Sequence, residues 1–139
     1  GMPRLYRDAP INSIWEGSGN VAALDVLRAM AKEPAGLEAF LAECESARGA
    51  DQRLDRHLAE LRGHLARLAR GELDAQWAAR RTVEDLALAF QASLLVRHAP
   101  AAVADAFCAG RLGAERGRVF GTLPRGTDSA AIVERALAS

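Results

Sequence analysis

The chain has 139 residues, half of them hydrophobic, with 18 basic and 18 acidic side chains. That length allows one domain with one core, and the composition excludes a disordered chain. The zero net charge excludes strong non-specific attraction to nucleic acid, and neither a signal peptide nor an apolar run of membrane-spanning length is visible, so the expected location is cytoplasmic.

The first ten residues hold Pro3 and Pro10 and read as an extended lead-in. After Gly19, "NVAALDVLRAMAKEP" is helical, with Asn20 as its N-cap and Pro34 and Gly36 ending it. Val21, Leu24 and Leu27 lie on one side of this helix, while Val26, Ala29 and Met30 spread around it. A helix apolar over most of its girth needs neighbours on more than one side. "GLEAFLAECESARGA" is a second, short helix with Leu37, Phe40, Leu41 and Cys44 inward. The third spans about 51–70. There Leu54, Leu58, Leu61, Leu65 and Leu68 recur at spacings of four and three, and Gly71 is the stop. The fourth spans about 74–98. Its second half, "LALAFQASLLV", is apolar on nearly every side, which makes it the central helix, with Leu86, Phe90 and Leu94 facing the leucine seam. Trp77 reads as a core anchor between helices. Pro100 breaks this helix and opens "AAVADAFCAGRL", which stops at Gly113. A glycine- and arginine-rich segment follows. The last helix, "SAAIVERALA", is capped by Thr127 or Asp128. There is no β-pattern and no repeat. The fold class is all-α, an antiparallel bundle of five to six helices with short connections.

The unusual stretch is "RLYRDAPINSIWEGSGNV". It places Glu16 between Trp15 and a Gly-Ser-Gly turn, ahead of any core. A carboxylate beside an indole in a dry pocket has its pKa raised, which suits it to act as a base on a weakly acidic C–H. Gly17 permits close approach of the backbone to a ligand. In isolation Glu16 would be a solvated residue leading into a helix, and the three-residue turn is too short for a phosphate loop.

This stretch resembles the C-terminal signature of acyl-CoA dehydrogenases, the arginine-aspartate-alanine run followed by aromatic-glutamate-glycine-threonine. It is most similar to the DNA-alkylation-response, AidB-like branch of that family, which "VADAFCAGRLG" and "ERGRVFGTLP" also resemble. The resemblance implies that Glu16 is the base that removes the α-proton of an acyl-CoA thioester, while FAD accepts the hydride. It also implies that Gly17 and Ser18 contact the flavin, Ser18 standing for the usual threonine. Asn20 falls near a position where many members have glutamine. Residues 1–35 then correspond to the end of the dehydrogenase C-terminal bundle and residues 36–139 to an additional helical domain. The helical and β-domains that complete an FAD site in that family would precede residue 1. The expectation is therefore a C-terminal piece that is inactive alone and binds no cofactor by itself.

Two further readings come from the remaining residues. Arg53, Arg56, Arg67 and Arg70 lie opposite the leucine seam. Domains of the resembled branch are associated with duplex DNA, whose phosphates arginines contact. The plainer alternative is a solvated face, with Glu60 pairing to Arg56 at a spacing of four. Arg111, Arg116, Arg118 and Arg125 form a second basic segment. The third reading is an oligomerisation module, with the 20–32 helix as a homodimer contact. His57, His64 and His98 do not form a metal set, so no metal is expected. Cys44 and Cys108 read as buried free thiols.

Overall fold

The computed structural model of the chain describes residues 2–10, 19–115, 117, 119 and 121–137. Seven helices and no strand occur among them: α1 (Met2–Asp8), α2 (Gly19–Lys32), α3 (Pro34–Glu45), α4 (Gln52–Ala69), α5 (Ala75–His98), α6 (Ala101–Leu112) and α7 (Ser129–Leu137). The all-α expectation holds, with one helix more than anticipated. The additional one is α1, in the stretch expected to be extended. Pro3 falls in its first turn, where the missing N–H costs nothing, and Arg4 pairs with Asp8 at 3.8 Å. Every side chain from Pro3 to Asp8 is exposed.

Capping residues set several helix boundaries. The Asp51 carboxylate accepts from the amides of Arg53 (2.8 Å) and Leu54 (3.3 Å) at the start of α4. Asp74 accepts from the Trp77 amide at 2.9 Å at the start of α5. Asp128, not Thr127, caps α7, accepting from the Ala131 amide at 3.1 Å. Gly71, at φ +71°, takes the left-handed conformation that ends α4. Pro34 does more than end α2: it is the first-turn proline of α3. Asn20 is not a cap, because α2 already includes Gly19.

Helix α5 is the hub, packing against α2, α3, α4 and α6. The leucine seam of α4 is buried from Leu54 to Leu65. The core continues through Leu41 and Cys44 of α3, Leu86, Ala89 and Ala92 of α5, and Cys108 and Leu112 of α6. Each fully buried leucine contributes about 1.5–3 kcal/mol. Ala89, Ala92 and Ser93 have no exposed surface. Such small side chains let several helices approach one axis, which is how α5 can be apolar nearly all round.

Two core expectations are corrected. Phe90 does not sit fully in the core beneath the seam. It turns towards α3, where its ring lies 5.5 Å from that of Phe40, and it remains partly exposed. Trp77 is not a core anchor, being 88% exposed. At that level α5 presents Ala78, Ala79 and Thr82 inward, and Trp77 falls on the outer side.

Candidate functional site

Glu16, Gly17 and Ser18, together with Trp15, lie outside the described residues. The described structure resumes at Gly19, the first residue of α2. There a guanidinium reaches across from α5: Arg80 Nη1 donates to Asn20 Oδ1 at 3.2 Å. The same guanidinium lies against Gly19 so closely that a Cβ on that residue would stand 2.9 Å from Nη1. One turn further on, Ala23 is buried. The start of α2 is thus held from inside by packing and from outside by Arg80.

The arginines of α4 and its C-terminus do not form a free cationic face. Arg53 Nη2 contacts Asp51 at 2.6 Å and Asp105 of α6 at 2.7 Å. Burial opposes charge on Asp51, but the hydrogen bonds from Arg53 and from the backbone outweigh it and hold this carboxyl below its usual range. Arg70 and Arg67 both pair with Glu72, at 2.5 and 3.5 Å. The Arg70 hydrogen bond, followed by the Arg67 charge, holds the Glu72 carboxyl low. Arg56 is exposed and pairs with no acid among the described residues, so the anticipated bond to Glu60 does not form. Arg111 Nη1 donates to the Gly117 carbonyl at 2.7 Å. Arg116 and Arg118 lie outside the described residues.

Between α4 and α5 runs a groove of about 340 Å³, lined in part by Glu60, His64, Arg67, Trp77 and Arg81. Both histidines at this seam hydrogen-bond through Nε2. His57 Nε2 lies 2.9 Å from the Asp85 carbonyl, which can only accept, so Nε2 carries the proton. The Thr82 hydroxyl gives its proton to the Ala78 carbonyl at 3.0 Å. His64 Nε2 lies 2.8 Å from that hydroxyl. Arg81 pairs with Asp85 at 2.6 Å, so the groove gathers charges of both signs. A second groove, of about 370 Å³, is apolar and is lined in part by Val26, Met30, Leu37, Phe40 and Phe90. No group of three or more histidine, cysteine or acidic side chains that could hold a metal occurs among the described residues.

Both thiols are buried and free. Burial first, then the charge of Glu43, pushes Cys44 up to about 11. Burial and the nearby Asp51 push Cys108 up to about 12. Neither thiol is a nucleophile at neutral pH. No helix among the described residues is long and apolar enough to cross a membrane.

Comparison with known proteins gives the lineage. The chain is 36% identical over 108 residues to the putative acyl-CoA dehydrogenase AidB of Escherichia coli (strain K12), a match covering 77% of this chain and 19% of AidB. It is 31% identical over 114 residues to acyl-CoA dehydrogenase family member 11 of Caenorhabditis elegans, covering 71% of this chain and 18% of that protein. It therefore spans about a fifth of the length of the curated relatives it matches. No protein-family model matches the chain, and no solved structure does. The chain belongs to the acyl-CoA dehydrogenase family. Within it, the similarity lies with the AidB-like branch.

The contact between Arg80 and Asn20 is one that sequence reading missed. Arg80 and Asn20 are 60 positions apart, and neither period nor spacing links them.

Proposed function

We propose that the chain is the C-terminal helical part of a flavin-dependent acyl-CoA dehydrogenase homologue, contributing the catalytic base Glu16 to a site completed elsewhere. The observation that carries this reading is the "YRDAPINSIWEGSGNV" stretch in a chain 36% identical to a putative acyl-CoA dehydrogenase. In this role Glu16 takes the α-proton of an acyl-CoA thioester, and Gly17 and Ser18 form one edge of the flavin site. FAD, when bound, supplies the acceptor for the hydride. A base of this kind works only when its pKa is raised and its placement fixed.

The chain does not hold a whole FAD by itself. The chain spans about a fifth of the length of the curated relatives it matches, and the rest of the flavin site would come from the other parts of such a longer protein. The isolated chain is therefore expected to be colourless and to pass no electrons from acyl-CoA to an artificial acceptor. Flavin co-purifying at about one per chain would overturn the reading, as would a longer AidB-like protein carrying this segment that stays active after Glu16→Gln.

A specific observation supports self-association as a second role. On α2, Val21 is 54% and Leu24 38% exposed, and both lie away from the face that packs on α5. A DNA-contacting role has less behind it, since three of the four arginines proposed for it are held by acids.

A further inference from the structure

We propose that the groove between α4 and α5 binds a neutral planar heterocycle whose edge carries both hydrogen-bond donors and acceptors, the chemistry of a purine-like ring, with the flat face laid on Trp77.

Trp77 is the first observation. At 88% exposure it is the most exposed large apolar side chain among the described residues, and it lines a groove of about 340 Å³. Its ring does nothing for the fold. At that level α5 turns Ala78, Ala79 and Thr82 inward, and the start of the helix uses only the Trp77 amide, which donates to Asp74 at 2.9 Å. An indole left in water is a rigid face on which a flat ring stacks.

Polar groups with unused capacity stand in the same groove. Arg81 is anchored through Nε, which donates at 2.6 Å to Asp85, a carboxylate only 11% exposed. That bond leaves both terminal nitrogens of Arg81 without an acceptor among the described residues, and they can only donate. Glu60 of α4 lines the groove too. Its charge acts on Arg81, but the two form no ion pair, and its carboxylate can only accept. The α5 side therefore offers donors, the α4 side an acceptor, and Trp77 a flat apolar face.

Charge balance decides the class of ligand. Arg67 and Arg81 cancel Glu60 and Asp85 among the lining residues, so an ion of either sign meets repulsion as well as attraction. A purely apolar ring would strip water from these groups and leave them unpaired. A neutral ring with a mixed edge satisfies both sides and covers the indole.

The probe is 2-aminopurine, a neutral fluorescent ring with donors and acceptors on its edge, titrated with the full chain and followed by anisotropy. Saturable binding is expected, with emission quenched by stacking. Hypoxanthine should displace the probe, whereas naphthalene-2-sulfonate and benzyltrimethylammonium, an aromatic anion and an aromatic cation, should not. Inosine monophosphate should displace it no better than hypoxanthine, since the groove gains nothing from a phosphate. Trp77→Ala and Glu60→Ala should each weaken binding about tenfold, and Trp77→Phe, which keeps a stacking face, should stay within about threefold of the native chain. Val133→Ala, at another exposed apolar position on α7, should bind as the native chain does. Absence of saturation up to about 10 mM ring, equal displacement by either aromatic ion, a tenfold gain from the phosphate, or affinity unchanged by Trp77→Ala or by Glu60→Ala would overturn the proposal.

Discussion

Arg53 of α4 and Asp105 of α6 meet at 2.7 Å, 52 positions apart in sequence. The same nitrogen also binds Asp51, the cap of α4. One guanidinium thus joins a helix start to a neighbouring helix, and it is largely shielded from solvent. Arg53→Gln should lower stability by about 1–3 kcal/mol, the range for a charge-assisted hydrogen bond. Urea unfolding would measure it.

The pH dependence at this site has a definite sign. Asp51 binds its proton less readily in the folded chain than in the unfolded one. It therefore stabilises the fold above the ordinary aspartate range, and that stabilisation is lost as pH falls through the lowered folded value. Asp51→Asn should be less stable than the native chain near neutrality and should lose less stability on going below about pH 4. Parallel slopes for the two proteins in acid would contradict this assignment.

Two large side chains make a contrasting pair. Leu61, at 2% exposure, sits in the seam, and Leu61→Ala should cost about 2–5 kcal/mol. Trp77→Ala should change stability by less than about 0.5 kcal/mol, the usual limit for a surface change. Thermal and denaturant melts of both variants would check the contrast.

Duplex DNA binding is expected to be weak. If Arg53, Arg56, Arg67 and Arg70 each met a phosphate, log affinity would fall against log salt with a slope of about −3.6. Asp51, Asp105 and Glu72 already hold three of these cations. Fluorescence anisotropy with a labelled duplex should show a much shallower slope. A steep slope that disappears when all four arginines are changed to glutamine would show instead that the acids yield them to phosphate.

Self-association through α2 should be visible by sedimentation at micromolar concentration. Exposed apolar side chains such as Val21 and Leu24 favour a partner, most simply a two-fold copy. Val21→Glu with Leu24→Glu should give a folded monomer. A native chain that sediments as a monomer at every concentration would exclude the contact.

The cysteines should be silent until the chain unfolds. With both thiols raised by burial, a thiol reagent at neutral pH should label neither in the native state and both in denaturant.

Much of the helical layout could be read from local chemistry. Asp51, Asp74 and Gly71 mark boundaries because a cap acts within three or four residues of itself. The leucines of α4 reveal their face because one side of that helix meets α5 and the other meets solvent. Periodicity says less about α5, which has neighbours nearly all round. It does not show that Trp77 lies on the side left open, or that Phe90 turns to Phe40. The arginine partners are hidden for a related reason. Arg53 with Asp105, Arg97 with Glu43 and Arg62 with Glu45 are brought together only by the tertiary fold. The expectation for Glu16 rests on resemblance alone, and the contact of Arg80 with Asn20 is visible only in the folded geometry.

The hub position of α5 has a consequence for the order in which the chain can be built. Helices α2 and α3 leave the ribosome before the helix on which both pack. Asn20 meets Arg80 only after 60 further residues have been added, roughly three to twelve seconds at common rates of synthesis. During that interval Val26, Met30, Leu37 and Phe40 have no α5 to cover them. Newly made chains should therefore depend on chaperones that hold apolar helices, and the dependence should end abruptly once synthesis passes His98.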